Sequence, residues 1–141
     1  MPHYKMQRYV NIDYENTISI VGTIQDKGRE RIIAEALYSG KADKGDHEMA
    51  FVVDEEYGGK GIAKFLLNYL ISIAREREIK KLSAFVILQN LRMAMVFNTA
   101  EVPPVVLEKK DHLKYIFELP PVTQTAQPRG GKESDWLEKQ Y

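Results

Sequence analysis

Glu48-Met49-Ala50-Phe51-Val52-Val53 runs into Asp54-Glu55-Glu56-Tyr57 and then into Gly58-Gly59-Lys60-Gly61-Ile62-Ala63. The first six residues make a short apolar run suited to a strand buried on both faces, and the acidic residues behind it favour a turn. From Ile62 the apolar residues fall at Ile62, Phe65, Leu66, Tyr69, Leu70 and Ile73. That spacing predicts a helix with one buried stripe, ending near Arg77. Between strand and helix stand Gly58, Gly59 and Gly61. They leave the backbone uncrowded, so several amide hydrogens can point outward together at the positive end of the helix dipole. Such a place suits a phosphate.

Two familiar glycine loops are excluded by inspection. A Walker loop needs Ser or Thr after Gly-Lys, and Gly59-Lys60 is followed by Gly61. A dinucleotide fingerprint starting at Gly59 needs glycine where Lys64 stands.

Upstream, Ile18, Ile20 and Ile24 alternate as in a half-buried strand, Gln25-Asp26-Lys27-Gly28 is a turn, and Arg31 to Tyr38 is the returning strand. A looser hairpin over residues 40–46 leads to Glu48, so three antiparallel strands precede the glycine loop. Residues 2–11 read as the last turns of a helix carrying Tyr4, Met6 and Tyr9 or Val10. Downstream, Leu82-Ser83-Ala84-Phe85-Val86-Ile87-Leu88 reads as a central strand covered on both faces, parallel to the strand at Glu48 through a right-handed crossover. Asn90 caps a short helix reaching Thr99, which stops before Pro103-Pro104. Val105-Val106-Leu107 and Leu113 to Leu119 form a last hairpin. Residues 1–119 thus form one domain, and residues 120–141, rich in Pro, Thr, Gln and Gly, form a tail in which Trp136 offers a docking side chain.

The chain has 141 residues, enough for one domain with a real core. Twenty Lys and Arg balance 20 Asp and Glu, so neither nucleic acid nor an anionic membrane is an expected partner. Absence of cysteine excludes disulfides, thiolate metal sites and a cysteine nucleophile, and His3, His47 and His112 are too scattered to argue a metal site. No apolar run approaches spanning length and the first residues lack a signal-peptide core, so a cytoplasmic location is expected.

The glycine loop resembles the acyl-CoA-binding motif of the GNAT superfamily of N-acetyltransferases, Gln/Arg-x-x-Gly-x-Gly/Ala. Gly61 and Ala63 take its last two constrained positions, and Val53 stands five residues before its first. That first position departs from the motif, for Gly58 stands where Gln or Arg is usual. Within the superfamily the chain is most similar to the acetyltransferase domain of bacterial protein (lysine) acetyltransferases, on Asn11-Ile12-Asp13-Tyr14, Gly28-Arg29-Glu30-Arg31-Ile32-Ile33, Glu48 to Val53 and Ile73-Ala74-Arg75-Glu76-Arg77. The resemblance implies an α/β fold with a mixed, mostly antiparallel sheet, a central parallel pair and flanking helices. The family's first strand and first helix are expected ahead of residue 2, which would leave the acceptor side to another chain, a homodimer being one arrangement.

The resemblance also implies acetyl-CoA as cofactor and an amine acceptor, with protein lysine as the class. Strand amides at Phe51 and Val53 would bond the pantetheine arm, and beside Gly58, also counted in the cofactor site, amides of Gly59, Lys60, Gly61, Ile62 and Ala63 would hold the diphosphate, with Lys60 or Lys64 adding charge. Asn90 would touch the pantetheine, although capping explains it equally well. Glu48 matches the glutamate that acts as base in the protein acetyltransferases, with His47 as the alternative. Relatives carry a general-acid tyrosine where this chain has Phe97, with Asn98 nearby as a substitute donor. Gly58 and Phe97 therefore also support a second expectation, a CoA-binding or regulatory module with weak or no turnover.

Overall fold

The computed structural model describes residues 4–10, 17–40 and 46–122, with backbone alone for residues 4–10 and 46. The Asn11–Tyr14 text, most of the residue 40–46 hairpin, and the tail with Trp136 lie outside the described residues.

Alternating apolar residues make β2 (Ile18–Asp26) and β3 (Arg29–Gly40). The Lys27-Gly28 turn between them has φ of 52° and 80°, the paired left-handed conformation whose twist suits a two-residue hairpin. β4 (Asp46–Val53), a 3₁₀ turn at Glu55–Tyr57, α1 (Ile62–Glu76) and β5 (Lys81–Ile87) follow, then α2 (Leu91–Asn98), β6 (Val105–Glu108) and β7 (His112–Glu118). With β1 (Tyr4–Val10) they give one seven-stranded sheet in the order β1-β2-β3-β4-β5-β7-β6. Among the described strands, only β4 and β5 pair in parallel.

β1 corrects one expectation. Residues 4–10 are a strand rather than helical turns, paired from Tyr4↔Ile24 to Val10↔Ile18. Tyr4, Met6 and Val10 share parity, so the strand period was as available as the helical one, and pairing with the edge of β2 decides between them.

One sheet face is closed by α1 and α2. Its core gathers Ile18, Ile20, Ala36, Tyr38, Met49, Leu82, Ala84, Tyr115 and Phe117 under Leu66, Leu67, Leu70, Ile73 and Phe97. α1 buries Leu67 and Ile71 in addition to the expected stripe, so it is gripped over a wider arc than a/d-like spacing indicated. The other face is open along β4 and β5. Val52, Phe85 and Ile87 are 68%, 51% and 60% exposed, which corrects the expectation that both strands are covered on both faces. A continuous apolar run does not report how many layers the fold builds over it.

β7 ends with Leu119 N–H bonded to Lys80 O at 2.8 Å, and Arg75 then donates to the carbonyls of Pro120 and Pro121 at 2.9 and 3.3 Å. Pro120 and Pro121 therefore stay against the domain surface.

Candidate active site

β4 and β5 pair over three rungs only, Asp46↔Lys81, His47↔Leu82 and Glu48↔Ser83, and then part. β4 stays bonded to β3 as far as Val53↔Ala34, so its opposite edge is open from Met49 to Val53. Asp54 N–H donates to Ile33 O at 2.8 Å, which fixes that amide toward β3. Successive strand amides alternate, so those of Phe51 and Val53 face the split. These are the two amides that the family resemblance implies for the pantetheine arm.

At the end of the split the chain turns into α1. Gly59 and Gly61 have φ of 75° and 83°, a region open to glycine at little cost, and Gly61 is the N-cap. No side chain caps this end, and the first helical bond is Phe65 N–H to Gly61 O at 3.0 Å. The amides of Ile62, Ala63 and Lys64 therefore have no acceptor within the helix and lie at its positive end.

Strand, turn and both helices enclose a cleft of about 480 Å³, within the range of small-ligand sites. β4 contributes Phe51, Val52 and Val53, the connection contributes Glu55, Tyr57, Gly58, Gly59 and Gly61, and α1 contributes Ile62, Ala63 and Lys64. The start of α2 closes it with Asn90, Arg92, Met93 and Val96. A larger cleft of about 760 Å³ lies at the opposite end of α1, beside Glu76 and Glu78, where the helix dipole is negative and an anionic ligand is disfavoured.

Lys60 does not line the first cleft. It is exposed, with Nζ 6.0 Å from the Tyr57 ring centre, and of the two lysines it is Lys64, in the first turn of α1, that lines the cleft. Asn90 does line it while accepting Met93 N–H at 3.1 Å, so its oxygen is engaged as the cap of α2. Arg92 and Met93 escaped the sequence reading. The signal was there, because a cap at Asn90 puts both in the first turn of α2, facing whatever the glycine loop holds.

The acidic residues before the loop are tied down. Arg31 pairs with Asp54 at 3.2 Å, with Asp26 at 3.6 Å and with Glu56 at 3.7 Å, while Asp54 also accepts Glu56 N–H at 3.0 Å. A hydrogen bond with Tyr57, then the nearby carboxylates, holds the Arg31 guanidinium above its ordinary pKa. This network anchors the connection and offsets negative charge that would oppose a phosphate.

Glu48 is exposed and occupies the last paired rung, at the crotch of the split. It lies three residues from Phe51, about 10 Å along the strand. Alternation turns His47 to the other face, where it is 4% exposed and sits edge-on to Tyr38 at 5.6 Å between ring centres. A buried ring in the core is poorly placed to take a proton from an incoming acceptor, which leaves Glu48 as the base candidate. Phe97 is 2% exposed and packs on Phe51, Tyr115 and Phe117, while Asn98 is exposed at the end of α2 and outside the cleft.

Residues 2–98 match the model of the Acetyltransferase (GNAT) family. The chain belongs to the GNAT acetyltransferase family. Its similarity to the acetyltransferase PA5475 of Pseudomonas aeruginosa is 23% identity over 77 residues, 55% of this chain and 41% of that protein. The chain thus spans about two-fifths of that relative's length. Among solved structures, the GNAT domain of S. lividans PAT aligns with a TM-score of 0.65 and 25% identity, covering 79% of this chain and 65% of that one. The cAMP-binding acyltransferase from Mycobacterium smegmatis aligns with a TM-score of 0.64 and 24% identity, covering 84% and 36%. Among the described residues of this GNAT domain, no helix is long and apolar enough to cross a membrane.

Proposed function

We propose that this chain is an acetyl-CoA-dependent N-acetyltransferase acting on an amine, with protein lysine as the acceptor class. The observation that carries the reading is the three-rung split, with outward amides of Phe51 and Val53 along one side and the uncapped start of α1 at its end. A strand edge suits the amide-bearing pantetheine arm, and uncapped helix amides with Lys64 suit a diphosphate. Bound there, acetyl-CoA supplies an acyl group on a thiol of pKa near 8.5, a leaving group good enough to need no acid. Phe97 then costs the reaction little.

The chain's own task is to free the acceptor's lone pair. An amine of pKa near 10.4 is neutral about once in 2,500 molecules at pH 7, a cost of about 4.6 kcal/mol. Glu48 can take that proton where the strands part. It lies on the open sheet face, which gives room to an acceptor as large as a protein side chain.

The second reading is a CoA-binding module without turnover, favoured by Phe97 being locked in the core where relatives carry the tyrosine. Release of free thiol from acetyl-CoA, measured with lysine peptides and small polyamines, separates the two. Release that requires both the chain and an amine is expected. Saturable CoA binding with no release for any acceptor would favour the module.

A further inference from the structure

We infer that Arg92 gives the cofactor's diphosphate the positive charge that the glycine loop lacks at its first position, and that residue 58 is glycine to admit it. The inference rests on the cofactor reading above.

Gly58 differs from its neighbours. Gly59 and Gly61 hold positive φ, but Gly58 has φ −67° and ψ 149°, which any residue adopts. Its backbone gives no reason for glycine, but any side chain there would move the end of Arg92 away from the loop. A Cβ at residue 58 would overlap Arg92 Nη1 and stand 3.3 Å from Arg92 Cζ. The guanidinium therefore lies over the loop's first position, reaching it from the first turn of α2. That turn is held by the Asn90 cap, and Arg92, Gly58 and Lys64 line one cleft.

Among the described residues no ion pair holds Arg92, although Glu55 lines the same cleft. A planar guanidinium can bridge two phosphoryl oxygens at once, which an ammonium cannot do. In this geometry the charge enters from α2 instead of from the loop, and it clamps the diphosphate between the two helix starts. A bulkier residue at 58 would push that clamp aside.

Calorimetric titration of the full chain with CoA and with dephospho-CoA tests the assignment. R92A should weaken both ligands about 10- to 100-fold, the loss of a charged hydrogen-bonding pair, and R92K should fall between the two. Thermal melts of R92A should match the wild type, since the side chain is exposed. Returning the charge to the loop, in G58R/R92A, should recover most of the affinity. Equal affinity of R92A and wild type overturns the inference and leaves the cofactor reading intact. A loss confined to CoA also overturns it, by assigning Arg92 to the 3′-phosphate. A wild-type chain that binds neither ligand overturns the cofactor reading and this inference together.

Discussion

Glu48→Gln is expected to lower kcat for acetyl transfer by about 10²- to 10⁴-fold, the usual contribution of a positioned general base, and to leave CoA affinity unchanged. The two effects separate because Glu48 is outside the cofactor cleft, on the rung where β4 and β5 part. Gln keeps the size and hydrogen-bonding reach of the side chain, so the sheet is not disturbed. It cannot accept a proton. Residual activity of the variant should then follow the neutral fraction of the acceptor and climb about tenfold per pH unit below the acceptor's pKa. Thiol-release kinetics across pH, paired with a CoA titration of the same variant, check both halves. Unchanged kcat would remove Glu48 from the chemistry.

Leu70→Ala is expected to cost about 2–5 kcal/mol of stability, the range for emptying a closely packed leucine site. Leu70 is fully buried on the face of α1 that closes the core. For a domain whose whole stability is about 5–15 kcal/mol that is a large share, and a thermal melt should drop by roughly 6 to 15 °C. Leu91→Ala is the matched control, because Leu91 is 71% exposed at the start of α2. Its cost should stay within about 0.5 kcal/mol. Similar losses for the two would mean that α1 does not close the core as described.

The strand, loop and helix from Glu48 onward could be read from sequence because three signals agree there. The strand is bounded by turn residues, the glycines sit where the backbone turns left-handed, and the helix repeats its apolar residues at the right spacing. Phe51 and Val53 were named from the family resemblance, and strand alternation turns their amides to the split. The parts that were not legible depend on partners far away in sequence. β1 is a strand because β2 offers it an edge, and nothing within residues 4–10 announces that edge. Phe85 and Ile87 look like core residues, yet the described fold puts no layer over their face. Arg92 was legible only in part, because the Asn90 cap puts it in the first turn of α2 without showing what it meets there. Its meaning depends on Gly58, 34 positions earlier, and only folding brings the guanidinium over that glycine. Lys60 was named for its place in the loop, but the first turn of α1 turns Lys64 to the cleft instead.

The most direct test of the central claim, that backbone amides at the β4–β5 split and the start of α1 hold CoA, is a titration followed by amide NMR on the ¹⁵N-labelled chain. Saturable shifts at Phe51, Val53, Gly59, Gly61, Ile62 and Ala63, with β6 and the Lys27-Gly28 turn unmoved, are the expected result. No shifts up to millimolar CoA, or shifts confined to the cleft beside Arg75 and Lys80, would contradict it.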